Sequence, residues 1–408
     1  LITETEEADL QKYVGKLKGA FVLGSVPPDV AAWWTAPAQR MTREELDQRE
    51  TPAPPEFGVG APGGRGGRGA LAGGRGRGGA QFNRDDFFRQ QGVAMILSTN
   101  ARGHGAYTIG GSSRSADPAT VLANVSIPAE QYGRIARMLA KGVSVTLEAD
   151  IKNTYYPNPT MFNVVGEIRG TDKADELVML GGHFDSWHAS TGATDNAAGS
   201  AAMMEAMRIL KATGVPLRRT VRIGLWNGEE QGLLGSADYV GAHFASRGAA
   251  PAGAGAAGGG RGGPQGPLEL KPDHAKFAAY FNIDNGTGAL RGVYLQGNDA
   301  VAPIFRAWME PLRDIGMTHL APGNTGGTDH QSFDRVGLPG FQFIQDPVEY
   351  NTLTHHYNLD SWERLQPTDM IRQATIAAAF AFLAANREEM LPRKPMPEPG
   401  GGRGRGGN

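Results

Sequence analysis

Residues 177–199, LVMLGGHFDSWHASTGATDNAAG, constrain this chain more than any other stretch. The apolar run 177–180 reads as a buried strand. Two glycines end it, and His183, Asp185 and Asp195 come next, before a helix of small residues begins. An open α/β sheet builds its site outside the carboxyl ends of its strands, where such a loop falls. Taken alone, the stretch is equally well a polar loop after a core strand. The rest of the chain decides between the two.

From residue 161 onward the chain reads as a β-α-β pattern. Strands are expected at 163–168, 176–180, 220–226, 277–283, 293–296 and 340–345. Helices are expected at 197–211, 232–244, 302–315 and 368–386. This alternation argues an α/β sandwich with a mixed, mainly parallel central sheet. Before residue 161 the pattern is different. A polar helical segment (4–17), strands at 20–23, 92–98 and 123–127, a helix at 129–141 and an alternating strand at 143–150 suggest a smaller β-rich domain. Thr42 and Glu45 form a capping-box pattern at the head of a short charged helix, 42–50. The glycine excess, 59 of 408 residues, is clustered at 58–80, 249–266 and the tail from 392. These tracts have almost nothing to bury and are expected to be mobile.

Net charge is −2, so bulk electrostatics suggest no nucleic-acid or membrane partner. No apolar run approaches a membrane span. No leader sequence is recognised within the first residues, which start at Leu1. There are no cysteines, so any metal must be held by imidazole and carboxylate.

Four more polar clusters fall at strand ends. They are Glu229-Glu230, Asp284, Asp329-His330, and the run Thr354-His355-His356 through Asp360. Each alone is weak. An isolated histidine is more often hydrogen-bonded than metal-bound, and adjacent glutamates are common on exposed turns. Together they bring to one sheet edge an excess of carboxylates whose burial costs several kcal/mol per ion without a cation. Oxygen and imidazole donors without thiolate suit a pair of Zn²⁺ ions roughly 3.5–4 Å apart.

In order, His-x-Asp, Asp-Asn-x-x-Gly, Glu-Glu-x-Gly, Asp, Thr-Asp-His and His-x-x-x-Asp resemble the M28 family of di-zinc peptidases. The likeness runs from about residue 161 to 387. The HFDSW run and the HH pair look most like its carboxypeptidase Q branch. The resemblance implies the α/β/α sandwich of zinc-dependent exopeptidases at 161–391. It also implies a protease-associated (PA-like) accessory domain at 1–160, and secretion or a periplasmic location. It implies two Zn²⁺ ions, with Asp195 bridging, His183 and Asp284 on one, and Glu230 and His356 on the other. Glu229 is then the general base. Asp185 orients His183, His355 is a candidate to steady the oxyanion, and Asp329 and His330 lie near the substrate pocket. A cis peptide is expected at Asp195–Asn196. The expected substrate is a peptide or dipeptide cut at a chain end.

Two other readings stand beside this one. A glutaminyl cyclase-like transferase shares the fold with a single zinc. The RGG-like arginines Arg65, Arg68, Arg75, Arg77, Arg403 and Arg405 suggest RNA binding, but the tracts lack interleaved aromatics. Oligomeric state is not legible.

Overall fold

A computed structural model describes residues 1–50, 82–110, 117–156, 160–248 and 267–395. The glycine-rich tracts 58–80 and 249–266, and the six RGG-like arginines, lie outside the described residues. The chain forms two compact units.

The smaller unit holds residues 1–36, 62–160 and 356–359. Its strands β1 (Phe21–Leu23), β2 (Met95–Ser98) and β3 (Asn124–Ser126) make a three-stranded parallel sheet in that order. One face packs on α1 (Glu7–Leu10) and a later helix (Arg84–Gln90), through Leu10, Val22, Phe87, Phe88 and Ile96. The other face packs on the helix Ala129–Ala140, through Leu23, Met95, Leu97, Tyr132 and Ala136. Residues 356–359 join this unit by main-chain pairing. Ile109 N donates to His356 O at 2.8 Å, and Thr108 and Tyr357 form an antiparallel bridge.

Two expectations fail here. The 4–17 segment is one helical turn and then a 3-10 turn at Gln11–Tyr13. Residues 143–150 alternate in polarity but form no strand and are mostly exposed. Alternation supplies a face to bury. It does not supply a neighbouring strand, and none pairs with them among the described residues.

The larger unit holds residues 37–61, 161–355 and 360–408. Residues 37–50 therefore belong here, not with the amino-terminal domain as the sequence suggests. The reason is a buried ion cluster. Arg40 reaches Asp346 at 3.0 Å and Asp369 at 2.7 Å, both carboxylates nearly inaccessible. Removing Arg40 would take this cation from Asp369 and leave Asp346 with Arg291 alone, at 3.5 Å. The next helix, α2 (Arg43–Glu50), carries the expected capping box: Glu45 N donates to Thr42 Oγ1 at 3.2 Å, and Thr42 N to Glu45 Oε2 at 2.8 Å. In chain order the small unit's helices Arg84–Gln90 and Ala129–Ala140 are α3 and α4.

The strands of this unit are β4 (Val164–Ile168), β5 (Lys173–His183), β6 (Arg219–Trp226), a small hairpin of β7 (Ala245–Arg247) and β8 (Leu268–Leu270), β9 (Phe277–Asn282), β10 (Leu290–Tyr294), β11 (His319–Ala321) and β12 (Gly340–Gln345). Seven of them form one sheet in the order β11-β10-β12-β9-β5-β6-β4. The central four, β12, β9, β5 and β6, are parallel; β4 runs against β6, and β10 against β12.

Alternation on β5 shows why the sheet has two covered faces. Val178 and Leu180 face the larger core with α5 (Ala198–Thr213), α7 (Ala302–Met309) and α9 (Pro367–Asn386). Leu177 and Met179 face the other, with residues of α6 (Leu234–His243) and α8 (His330–Asp334). Such a strand reads as a continuous apolar run. The small residues of α5, Ala198, Ala202 and Ala206, recur every fourth position and are all buried. Gly224 on β6 is required by packing. A Cβ there would stand 2.3 Å from the Trp226 ring.

The carboxyl end differs from expectation too. Residues 392–395 are described, and Arg393 donates to His274 O and Phe277 O, each at 2.7 Å. The guanidinium bonds one carbonyl just before β9 and one at its first residue, so this part of the tail is held. Among the described residues no helix is long and apolar enough to cross a membrane.

Candidate metal centre

The parallel strands β5, β6 and β9 deliver their carboxyl ends to one edge of the sheet. β5 ends on His183, which is 1 % exposed. Its Nδ1 lies 2.9 Å from Asp185 O, so Nδ1 carries a proton and Nε2 is the nitrogen left to face the site. That nitrogen faces Asp284 Oδ1 at 3.2 Å and Asp195 Oδ1 at 3.4 Å. Without a metal the ring meets these carboxylates as an imidazolium, and a metal ion would take the place of the Nε2 proton.

Asp195 sits in the turn between β5 and α5. The Asp195–Asn196 peptide is cis, as the family resemblance implies. The Thr194 and Asp195 amides donate to the two oxygens of Asp360, at 2.7 and 3.0 Å. Asn196 Nδ2 donates to Ile283 O at 2.9 Å, and a Cβ on Gly199 would stand 2.4 Å from that same carbonyl. Helix α5 can approach β9 this closely only through glycine.

Glu229 and Glu230 come directly after β6. Their main-chain N–H groups donate to the two oxygens of Asp185, at 3.1 and 3.3 Å. Asp185 therefore does more than the orienting expected of it. Its carbonyl takes the imidazole proton, with its carboxylate 3.6 Å from the same Nδ1, and that carboxylate also fastens the glutamate loop. His355 ends the turn Tyr350–Thr354; its ring stacks on Tyr350 at 4.6 Å, and its Nε2 is 4.0 Å from Asp195 Oδ2. His356 falls in the four residues that pack with the smaller unit, with φ 60°.

His183, Asp195 and Asp284 form a buried group with ligand atoms mutually within 4.8 Å. The charges around it do not balance. Burial lowers the His183 imidazole, but Asp284, Asp185 and Asp195 outweigh it and hold it well above 6.5. Burial pushes Glu229 well above the usual carboxylate range; His183 opposes this, and Asp284, Asp329 and Glu230 add to it. Glu229 Oε1 is buried with no hydrogen-bond partner among the described residues. Burial also raises Asp360 to about 6 despite its amide bonds. Too many anions share this edge for one imidazolium, and the donor set fits divalent cations held by imidazole and carboxylate.

Asp329 and His330, expected near the substrate, are both fully buried. Asp329 stands behind the site, its carboxyl raised to about 7 by burial against the pull of His183. His330 Nε2 lies 2.6 Å from Gln296 Nε2, and burial lowers the ring to about 3; Thr325 O opposes, while Arg335 and Lys394 add to the lowering. This makes stability depend on pH. The unfolded ring titrates near 6.5, so between there and about 3 the unfolded chain binds the extra proton. The stability due to neutral His330 is full above 6.5 and falls as pH drops, by up to about 1.4 kcal/mol per pH unit. In urea titrations of metal-free protein at pH 7, 5.5 and 4.5, His330→Asn should flatten this fall. Parallel curves would refute it.

Asp360 is legible in the sequence as the end of His-x-x-x-Asp. Other polar groups beneath the site are not. Trp226 Nε1 donates to Tyr280 Oη at 2.8 Å, Tyr280 Oη to Asn282 Oδ1 at 2.5 Å, and Asn282 lies 2.9 Å from Thr328. Trp226, Tyr280 and Asn282 lie within apolar strand patterns, which carry no signal of a shared network.

Residues 163–381 match the model of peptidase family M28, more than half of the chain. Mouse carboxypeptidase Q is 27% identical over 283 residues, 69% of this chain and 54% of that protein. Leucine aminopeptidase 2 of Trichophyton equinum is 34% identical over 149 residues, 36% of this chain and 28% of that protein. The chain thus spans about half the length, or less, of these curated relatives. The crystal structure of a peptidase M28 precursor from Shewanella amazonensis superposes with a TM-score of 0.58 at 23% identity, covering 76% of this chain and 64% of that one. It shows the same fold. The motif order in the sequence, the mainly parallel α/β sheet and the family match agree, and the chain belongs to peptidase family M28.

Proposed function

We propose that this chain is a di-zinc exopeptidase that hydrolyses terminal amide bonds of peptides or dipeptides. The observation that carries the reading is the buried His183–Asp195–Asp284 group, with the Glu229 carboxyl held beside it and left without a hydrogen-bond partner on Oε1 among the described residues. Asp195 would bridge the two ions, His183 and Asp284 would complete one, and Glu230 and His356 the other. When bound, two zinc ions lower the pKa of a water and polarise the scissile carbonyl. Glu229 takes the proton from the attacking water and hands it to the departing amine, so the carboxylate is regenerated each turnover. Asp185 keeps Glu229 and Glu230 on one rigid turn through their amides. Asp360 does the same for Asp195. His355 would donate to the oxyanion that develops on the scissile carbonyl. The smaller unit would serve as a PA-like accessory domain, and export is the proposed location.

The deciding experiment offers zinc-loaded enzyme a panel of free, N-acetylated and C-amidated dipeptides. Loss of cleavage on acetylation assigns an aminopeptidase, and loss on amidation a carboxypeptidase. Loss on both assigns a dipeptidase. No cleavage of any member, with one zinc per chain and cyclisation of amino-terminal glutamine, would replace this reading with the transferase.

A further inference from the structure

Several of the proposed ligands are steadied through their main chain by a side chain from elsewhere. Asp360 holds Asp195, Asp185 holds Glu230, and Ser200 Oγ donates to His183 O at 2.7 Å. Asp284 has a holder of the same kind, and nothing in the sequence pattern marks it. Strand β12 pairs with β9 up to Gln342 and Asn282, where the ladder ends. Asp284 is two residues farther on.

Gln342 is 0 % exposed, and its amide reaches past that last pair. Whichever way the amide is turned, its two polar atoms stand against Asn282 on one side and the Asp284–Asn285 pair on the other. With Oε1 towards Asp284, the oxygen accepts the Asp284 N–H at 3.2 Å and Nε2 donates to Asn282 O at 3.1 Å. That orientation satisfies both main-chain groups; it also brings Nε2 within 2.7 Å of Asn282 Nδ2 and Oε1 within 3.1 Å of Asn285 Oδ1, so those two side-chain amides must turn with it. The side chain then does what the next residue of a strand would do. It continues the β9–β12 ladder after the strand backbones have parted.

We infer that Gln342 is a positioning residue for Asp284, fixing the carboxylate on which one of the two metal sites depends. The inference rests on the di-zinc reading above. On its other side Asp284 is tethered through its neighbour, where Ile283 N donates to Gly181 O at 3.3 Å and Ile283 O accepts from Asn196. Without Gln342 its main chain is free to swing on the β12 side. Outer partners of metal ligands typically contribute roughly 10–100-fold to affinity.

The test titrates Zn²⁺ alone into metal-free protein against a chelating dye. Wild type should bind two ions. Gln342→Met, of similar length and volume, should weaken one of them roughly 10–100-fold and leave the other within a few-fold. Gln345→Met is the control. It removes another buried amide of the same strand, which donates to Gly286 O at 2.7 Å beyond Asp284, and it should keep both ions. Equal weakening in the two variants would mean a general loss of packing and would overturn the inference. So would a folded Gln342→Met that binds both ions as wild type does. A wild type that binds no zinc would overturn the metal reading and this inference together. One measurement needs no variant: the Asp284 amide in metal-free wild type should exchange far more slowly than a free amide. Free exchange would overturn the assignment even if Gln342→Met failed to fold.

Discussion

Glu229→Gln should keep two zinc ions per chain and lose roughly 10²–10⁴-fold in turnover. The size comes from what the substitution removes. Glutamine has the same length and leaves the amide that donates to Asp185 at 3.1 Å in place, so the loop keeps its shape. It cannot accept a proton. Metal content is unaffected because the base, unlike Glu230, is outside the proposed ligand set. Elemental analysis beside kcat on a free dipeptide separates the two properties. A variant with most of its activity would move the base elsewhere. One that lost a metal would make Glu229 a ligand.

Asp195→Ala should bind neither ion at micromolar zinc. Alanine removes the only proposed ligand shared by both metals, and it leaves the turn held by Asp360 through the Thr194 and Asp195 amides. The metal-free stabilities give an independent sign. Asp195 is 4 % exposed, shares its group with Asp284 and lies 3.4 Å from the His183 imidazole, so deleting it relieves a buried anion but removes a partner of that ring. Metal-free Asp195→Ala should therefore unfold in urea close to metal-free wild type, the two effects offsetting each other. Zinc at a hundredfold excess over Kd stabilises a binding protein by about 2.7 kcal/mol, and only wild type should gain this. A variant that still bound two ions would remove Asp195 from the bridging position.

Much of this site was legible because metal chemistry uses few residue types at strand ends. His183, Asp195, Glu229, Glu230 and Asp284 stand out from apolar runs, and buried carboxylates in that number are costly without cations. The central strands were legible for a related reason. Each is buried on both faces and reads as an unbroken apolar run. The edge elements were not. β11 has three residues, and the hairpin of β7 and β8 flanks the glycine-rich tract at 249–266, so neither offers a period to count. The 143–150 segment had the right period and no partner among the described residues.

What the sequence determined by itself is therefore local or chemical: the α/β order, the capping box at Thr42 and Glu45, and the candidate metal-binding side chains. The tertiary structure decided who holds them. Asp185 gives its carbonyl to the imidazole and its carboxylate to the glutamate loop. Arg40 draws residues 37–50 onto the larger unit, and Gln342 reaches Asp284 from another strand. Most of these contacts join residues tens to hundreds of positions apart, through ordinary polar side chains. Their partners are set by strand order and register, which no single stretch of the chain contains.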